Sequence, residues 1–158
     1  MKLLAVTLTL GLFTFSAFAE PAHKNWNSIS VDWGYGEIEE GSCDSQTFKL
    51  SSKGAFVLTG CGETLRGKAR KSEMKEVRSI MTLIMTGFHK KLMCDPENWV
   101  DDYSWNIKVQ SGGLKARTVF SNTGSDQGIC TRGATMELHE ELDSILSEIA
   151  YQDEGQDH

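Results

Sequence analysis

The chain has 158 residues, of which 16 are Lys or Arg and 22 are Asp or Glu, giving a formal net charge of −6. This balance argues against a nucleic-acid-binding protein, because phosphate contacts need clustered cations, and it would steer a basic protein partner toward the surface. The length suits one domain, and residues 20–158 hold no apolar run long enough to span a membrane.

Residues 1–19 have the three parts of a cleavable secretory signal. Lys2 supplies a positive start, residues 3–15 are almost entirely apolar, and Ala17-Phe18-Ala19 is a small-residue cleavage site. The alternative, an uncleaved membrane anchor, is disfavoured because the apolar run is short. We therefore predict cleavage near Ala19, a single domain over residues 20–151, a polar flexible tail over residues 152–158, and a secreted or periplasmic location.

The first part of the mature chain has the two-residue period of β-strands. Apolar residues alternate along residues 29–35, and again on both sides of a Ser-Ser-Lys-Gly turn. Gly54 in that turn can adopt the left-handed conformation that a three-residue hairpin loop needs. We therefore predict a strand followed by a hairpin in which Phe48 lies opposite Phe56.

A first helix is predicted to follow, with Ser72 as its N-cap and Glu73 in its first turn. Gly87 and the two lysines after His89 mark its end. Its apolar residues recur every three or four positions on one face, which favours a core face over an adaptable methionine-lined groove. These residues are Met74, Val77, Ile80, Met81, Ile84, Met85 and Phe88.

The second half of the chain predicts another hairpin and another helix. Residues 94–102 are expected to form a loop, residues 103–109 and 114–120 alternate as strands, and Val109 is expected to face Leu114. After a glycine-rich loop, Thr135 is expected to cap a helix. Its apolar stripe consists of Leu138, Leu142, Ile145, Leu146 and Ile149. The predicted fold class is α+β, a two-layer sandwich of about five antiparallel strands on two helices.

The four cysteines are expected to form two disulfides. Their number is even, the predicted compartment is oxidising, and none of them forms the close pair of a zinc site. The first hairpin register would bring Cys43 opposite Cys61, within disulfide reach. Cys94 and Cys130 lie almost symmetrically about the second hairpin. We therefore predict the pairs Cys43–Cys61 and Cys94–Cys130.

The chain has Cys43, then the run Phe48-Lys-Leu-Ser-Ser-Lys-Gly54, then Val57 and Gly60, and the first predicted helix follows. This order resembles the start of an uncharacterised bacterial secreted domain family. The later hairpin and helix are also similar in order. The resemblance implies a fold of two successive hairpin–helix units and implies no activity. Cys61, Cys94 and Cys130 lie outside the family's pattern.

Three motifs raise the question of chemistry. Ser72 and Lys75 match S-x-x-K, but the companion motifs of that enzyme class are missing, so Ser72 is interpreted as a helix cap. His139 and Asp143 share a helix spacing that suits a metal, but without a third ligand we expect an exposed helix surface. Four acidic residues in the Cys94–Asp102 loop suggest a calcium site, but their spacing is not that of an EF-hand loop. These acids are Asp95, Glu97, Asp101 and Asp102.

We therefore predict no catalytic residue, no cofactor and no metal, and expect an exported, non-catalytic domain of the inhibitor or immunity type that binds a basic protein. Two alternatives stay open: a small-ligand or lipid carrier, and a small hydrolase with an unrecognised site. Aromatic residues are favoured at interfaces. The binding candidates are Trp99, Tyr103, Trp33 and Tyr35, of which Trp99 is the best surface candidate and Trp33 is expected, like Trp105, to pack in the core.

Overall fold

A computed structural model describes residues 25–35, 43, 45–97, 103–122 and 128–152, which form one antiparallel sheet and two helices. The sheet order is β4-β3-β2-β1-β6-β7-β8-β5. The elements in chain order are β1 (Trp26–Tyr35), β2 (Ser45–Ser51), β3 (Ala55–Gly60), β4 (Glu63–Lys68), α1 (Lys71–Thr86), β5 (Met93–Asp95), β6 (Tyr103–Ser111), β7 (Arg117–Asn122), β8 (Ile129–Thr131) and α2 (Met136–Tyr151).

The α+β class and the two disulfides are confirmed, but the described sheet has eight strands and not about five. The prediction missed β4 because this edge strand is exposed along nearly its whole length, so its residues show no apolar alternation. It missed β5 and β8 because each has only three residues, too few for a period to be visible.

One face of the sheet carries the hydrophobic core. Ile29 lies between Leu50 and Val109 in the strand register, and all three are fully buried. The buried stripes of α1 and α2 belong to the same core, so both helices cover this face. The opposite face, which we call the open face, carries mostly polar side chains that alternate with the core residues.

The first hairpin has the predicted loop but a different register. Gly54 adopts the left-handed conformation with φ 90°, and its N–H donates to the Ser51 carbonyl at 2.9 Å. Phe48 pairs with Leu58 and not with Phe56, because the three-residue loop is centred on Lys53. This two-residue correction keeps every side chain on its predicted face, because the side-chain period of a strand is two.

The second hairpin differs more from its prediction. Strand β6 continues to Ser111, and β7 begins only at Arg117, so Val109 pairs with Arg117 and not with Leu114. Leu114 lies in the connecting turn and is 44% exposed. A register irregularity after Ile107 lets both Val119 and Phe120 be fully buried, which a strict two-residue period excludes.

Both helices lie close to their predicted positions. Helix α1 begins at Lys71 after Arg70, so Ser72 lies in the first turn and is not the N-cap. The Glu73 carboxylate accepts the Arg70 backbone N–H at 2.7 Å, as the glutamate of a capping box does. Thr135 caps α2 as predicted, with its hydroxyl accepting the Leu138 N–H at 3.4 Å.

The two disulfides have the predicted partners but different settings. Cys61 lies in the two-residue loop between β3 and β4, beyond the last β2–β3 pair, and its Cα is 5.0 Å from that of Cys43. Cys94 and Cys130 are directly opposite each other in β5 and β8. Part of the predicted Cys94–Asp102 loop is therefore a strand. Within the described ranges, neither helix has the length and apolar character needed to cross a membrane.

Candidate functional site

Three of the four predicted aromatic binding residues lie in β1 and β6, which are neighbours in the sheet. Trp33 is 1% exposed and donates its indole N–H to the Asp143 carboxylate at 2.8 Å. Its strand neighbour Trp105 is also buried and stacks on Phe120, with ring centroids 4.7 Å apart. Trp33 and Trp105 are thus core residues, and neither presents a surface to a partner. The backbone register places Tyr35 opposite Tyr103, and Trp99 lies outside the described residues.

His139 was expected on an exposed helix surface, and this expectation is wrong. Its side chain is fully buried, with its ring 5.4 Å from that of Phe120. Nδ1 donates to the Thr135 carbonyl at 2.8 Å, which fixes the neutral tautomer, and Nε2 has no hydrogen-bond partner among the described residues. The sequence signal was misleading because acidic residues surround His139 along the chain, although they point to the other side of the helix.

Acidification is expected to destabilise the protein through His139. Burial lowers the pKa of this imidazole below its ordinary value of 6.5, and the hydrogen bond to Thr135 only partly opposes this shift. The unfolded chain therefore binds a proton at a pH where the folded chain does not. Below pH 6.5 the free energy of unfolding should decrease, by at most about 1.4 kcal/mol per pH unit, until the pKa of the folded state is reached.

Urea unfolding of the wild type and of His139→Phe, between about pH 7.5 and pH 5, measures this effect. The variant should show the flatter profile over that range. Asp143 acts in the opposite direction, since burial raises the pKa of its carboxyl above 3.8 although the Trp33 hydrogen bond lowers it. The folded chain therefore binds that proton more readily than the unfolded chain. Parallel profiles for wild type and variant would contradict the role of His139.

The candidate functional site is an apolar groove at the ends of the two helices, beside strand β5. We call it the helix-end groove, and its volume is about 670 Å³. Met93 is 70% exposed and Leu83 is 54% exposed, while Leu138 and Ala134 are partly buried at its floor. Its full lining is Leu83, Thr86, Lys90, Lys91, Met93, Thr131, Gly133, Ala134, Thr135 and Leu138.

The groove is held in shape by contacts between the chain segments that border it. Gly87 ends α1 and approaches Gly133 so closely that a Cβ on either residue would lie 2.3 Å from the Cα of the other. The Arg132 guanidinium donates through Nε to the Thr118 carbonyl at 2.7 Å and through Nη1 to the Lys90 carbonyl at 2.5 Å. The Cys94–Cys130 disulfide ties β5 to β8 directly beside Met93.

The charges around this groove are separated by element. Lys90 and Lys91 line it on the α1 side. On the other side, α2 contains no Lys or Arg, and its exposed charged residues are all acidic. These exposed acids are Glu137, Glu140, Glu141 and Glu148. The groove therefore combines exposed apolar surface with two lysines on its α1 side, while the exposed glutamates of α2 lie outside its lining.

Nothing in the described part of the chain forms a metal site, since no group of three or more His, Cys, Asp or Glu residues there could hold a metal ion. All four cysteines are in disulfides. Of the acidic loop, Asp95 already accepts the Glu97 backbone N–H at 3.1 Å, and Asp101 and Asp102 lie outside the described residues.

Sequence reasoning missed Leu83 and Met93. A signal for Leu83 was present, because this leucine lies off the apolar stripe of its helix and so had no place in the predicted core. Met93 gave no such signal, since it lies between a helix and a cysteine in a segment without a period. A comparison with known protein families and with curated proteins finds no match for this chain.

Proposed function

We propose that this protein is an exported, non-catalytic protein-binding domain of the inhibitor or immunity type, with the helix-end groove as its contact surface. The observation that supports it best is the exposure of Met93 and Leu83, 70% and 54%, which both line one groove. Large apolar side chains exposed in one patch with a polar rim are typical of protein interfaces. A flexible methionine can adapt to the surface that it contacts.

The charge of α2 favours a basic partner. The four exposed glutamates of this helix continue from the groove along its outer side. Opposite charges on a partner would increase the association rate and select the correct orientation, whereas the apolar contact would supply most of the affinity. The chain's net charge of −6 would also attract a basic partner.

Export is part of the proposal. Two disulfides are compatible with an oxidising compartment, where such bonds form and persist. Expression of the full chain in a bacterial host is expected to give a product that begins at Glu20, because Ala17-Phe18-Ala19 is the cleavage site. N-terminal sequencing and intact mass of the product from the periplasmic fraction or the medium measure this. A product that retains residues 1–19 would contradict it.

Site-specific photo-crosslinking tests the contact surface. The substitution Met93→p-benzoylphenylalanine should yield a covalent adduct with one basic protein in envelope extract. Leu114→p-benzoylphenylalanine is the matched control, since Leu114 is 44% exposed in the β6–β7 turn and does not line the groove. This control should give no such adduct. Equal adducts at both positions, or none at position 93, would refute the proposed surface.

The crosslinked partner, once identified and purified, permits a quantitative test. Met93→Ser combined with Leu83→Ser should weaken its binding by about tenfold or more, because exposed apolar anchors carry much of the affinity of an interface. Glu137→Lys combined with Glu141→Lys should mainly slow association, and this effect should diminish at high salt. Unchanged affinity of the apolar double variant would exclude the helix-end groove as the contact surface.

A further inference from the structure

Strand β4 forms one edge of the sheet and pairs only with β3 within the described residues. The two-residue loop Cys61-Gly62 has φ values of 55° and 78°, as in a tight hairpin turn. The residues on either side of it, Gly60 and Glu63, therefore form a hydrogen-bonded pair. Along β4, hydrogen-bonded pairs alternate from there with pairs that are not hydrogen-bonded. The Ala69 N–H, which donates to the Gly54 carbonyl at 2.9 Å, agrees with this alternation. The backbone groups of Thr64, Arg66 and Lys68 therefore point to the free edge.

The open face beside this edge is basic. Arg66 lies next to Val57, and Val57 next to Lys49, in one row across three strands, and Lys68 lies further along β4 on the same face. The acid on the central strand of this face, Asp32, is already bound to Lys108 at 2.7 Å and to the Thr47 hydroxyl at 3.0 Å. The edge thus presents a cationic surface on a protein whose net charge is −6.

The other side of the same edge has exposed apolar surface, and Glu63 and Gln46 border it. Leu65, 37% exposed, and Leu58 line a groove of about 320 Å³ together with Tyr151 at the end of α2. The Tyr151 hydroxyl donates to the Gln46 side chain, which holds the aromatic ring at this position. Any strand that paired with β4 would place alternate side chains over this groove and over the cations of the open face.

We propose that β4 accepts an extended segment of a partner protein as an additional strand, with acidic residues over Arg66 and Lys68 alternating with apolar residues toward Leu65. Main-chain hydrogen bonds to the edge would give affinity, and the alternating pattern would give specificity. This surface lies away from the helix-end groove and selects the opposite charge. The inference therefore goes beyond the proposed function, and either can fail without the other.

The charges also distinguish this partner from a second copy of the chain. Two copies paired edge to edge through β4 would bring Arg66 and Lys68 of one against the same residues of the other. Like charges across a strand pair are destabilising. Charged residues on edge strands commonly prevent such self-association. Arg66 and Lys68 would therefore disfavour pairing with β4 of a second copy and favour pairing with an acidic strand.

A capped six-residue peptide of alternating glutamate and valine is a direct probe. Its addition should shift the NMR amide signals of Thr64, Arg66 and Lys68, with weaker binding at higher salt. The same peptide with N-methyl groups on its edge-facing amides cannot donate those hydrogen bonds and should not bind. A peptide with lysine in place of glutamate should also fail. Shifts confined to side chains of the open face, or equal binding of the N-methylated peptide, would exclude strand addition.

Variants of the protein separate charge from fold. Arg66→Glu combined with Lys68→Glu should weaken peptide binding by about tenfold, and the lysine peptide should then bind instead. Lys115→Glu, an exposed charge in the β6–β7 turn, is the matched control and should leave the affinity unchanged. Equal circular dichroism spectra show that the variants are folded. If the charge-reversed variant kept its preference for the glutamate peptide, the proposal would be wrong.

Two other occupants would overturn it. Deletion of residues 153–158, an acidic segment that follows Tyr151 closely in the chain, tests the protein's own tail. If this deletion shifted the NMR amide signals of β4 while the peptide did not, the occupant of the β4 edge would be the protein's own tail. If the amide signals changed with protein concentration alone, the edge would belong to a second copy. Shifts that require the added peptide and persist after the deletion support a partner strand.

Discussion

Substitution of Gly133 by alanine is expected to destabilise the protein by about 2–5 kcal/mol. Two costs add at this position. Gly133 has φ 71°, a conformation that alanine adopts only with strain, and its Cβ would lie 2.3 Å from the Cα of Gly87. The neighbour is backbone, so it cannot move aside as a flexible side chain would. The ends of the two helices would have to separate.

Gly113→Ala is the matched control for this prediction. No atom lies within 4 Å of the position that the alanine methyl group would take at Gly113, and its φ is not positive, so this variant should differ little from the wild type. Urea unfolding followed by circular dichroism gives both free energies. Because Gly133 also lines the helix-end groove, its variant should lose partner binding as well. A Gly133→Ala protein as stable as the control would mean that the two segments are not held in contact.

Removal of the Cys94–Cys130 disulfide by serine substitution at both positions is expected to cost about 4 kcal/mol, and removal of Cys43–Cys61 about 3 kcal/mol. In the chain-entropy account, the first bond closes the longer loop, with a separation of 36 residues against 18. A bond that closes a longer loop excludes more conformations of the unfolded chain. The first bond also fixes β5, which has no other strand partner within the described residues than β8.

Thermal and urea unfolding of the two double-serine variants, each with the other disulfide intact, measures the difference. The variant without Cys94–Cys130 should also lose hydrogen-exchange protection in β5 and β8 before the rest of the sheet unfolds. Wild-type protein treated with a reductant should be less stable than either variant, because it loses both bonds. Equal stability of the wild type and the Cys94/Cys130 variant would show that β8 and β5 are held by other contacts.

The two proposed surfaces have opposite charges, and the fold explains how one small acidic chain can carry both. Helix α2 has acids on its outer side, while the cations of β2 and β4 point away from the helices on the open face. A sheet covered on only one face keeps these two sets apart. Net charge alone indicated only a basic partner, because a sum over the chain contains no information about faces.

The sequence determined the parts of this protein whose signal is periodic and repeated. Ile29, Val31 and Trp33 alternate because one face of a strand is buried, and Val77, Ile80, Met81 and Ile84 recur because one face of a helix is buried. The disulfide partners were predicted from the nearly symmetric positions of the cysteines about each hairpin. These partners are correct although the predicted hairpin registers were wrong, because a disulfide can join residues that are not directly opposite each other. The burial of Trp33 also followed, since its position continues the alternation of its strand.

Only the tertiary structure decided the features that depend on neighbours distant in sequence. Strand β4 has no apolar period because an edge strand exposed on both sides buries too little to require one. The short strands β8 and β5 form because β8 pairs with β7 and β5 pairs with β8. His139 is buried by its contact with Phe120, and Met93 is exposed because no described residue covers the groove beside it. Burial is a property of the assembled layers, so local sequence cannot specify it.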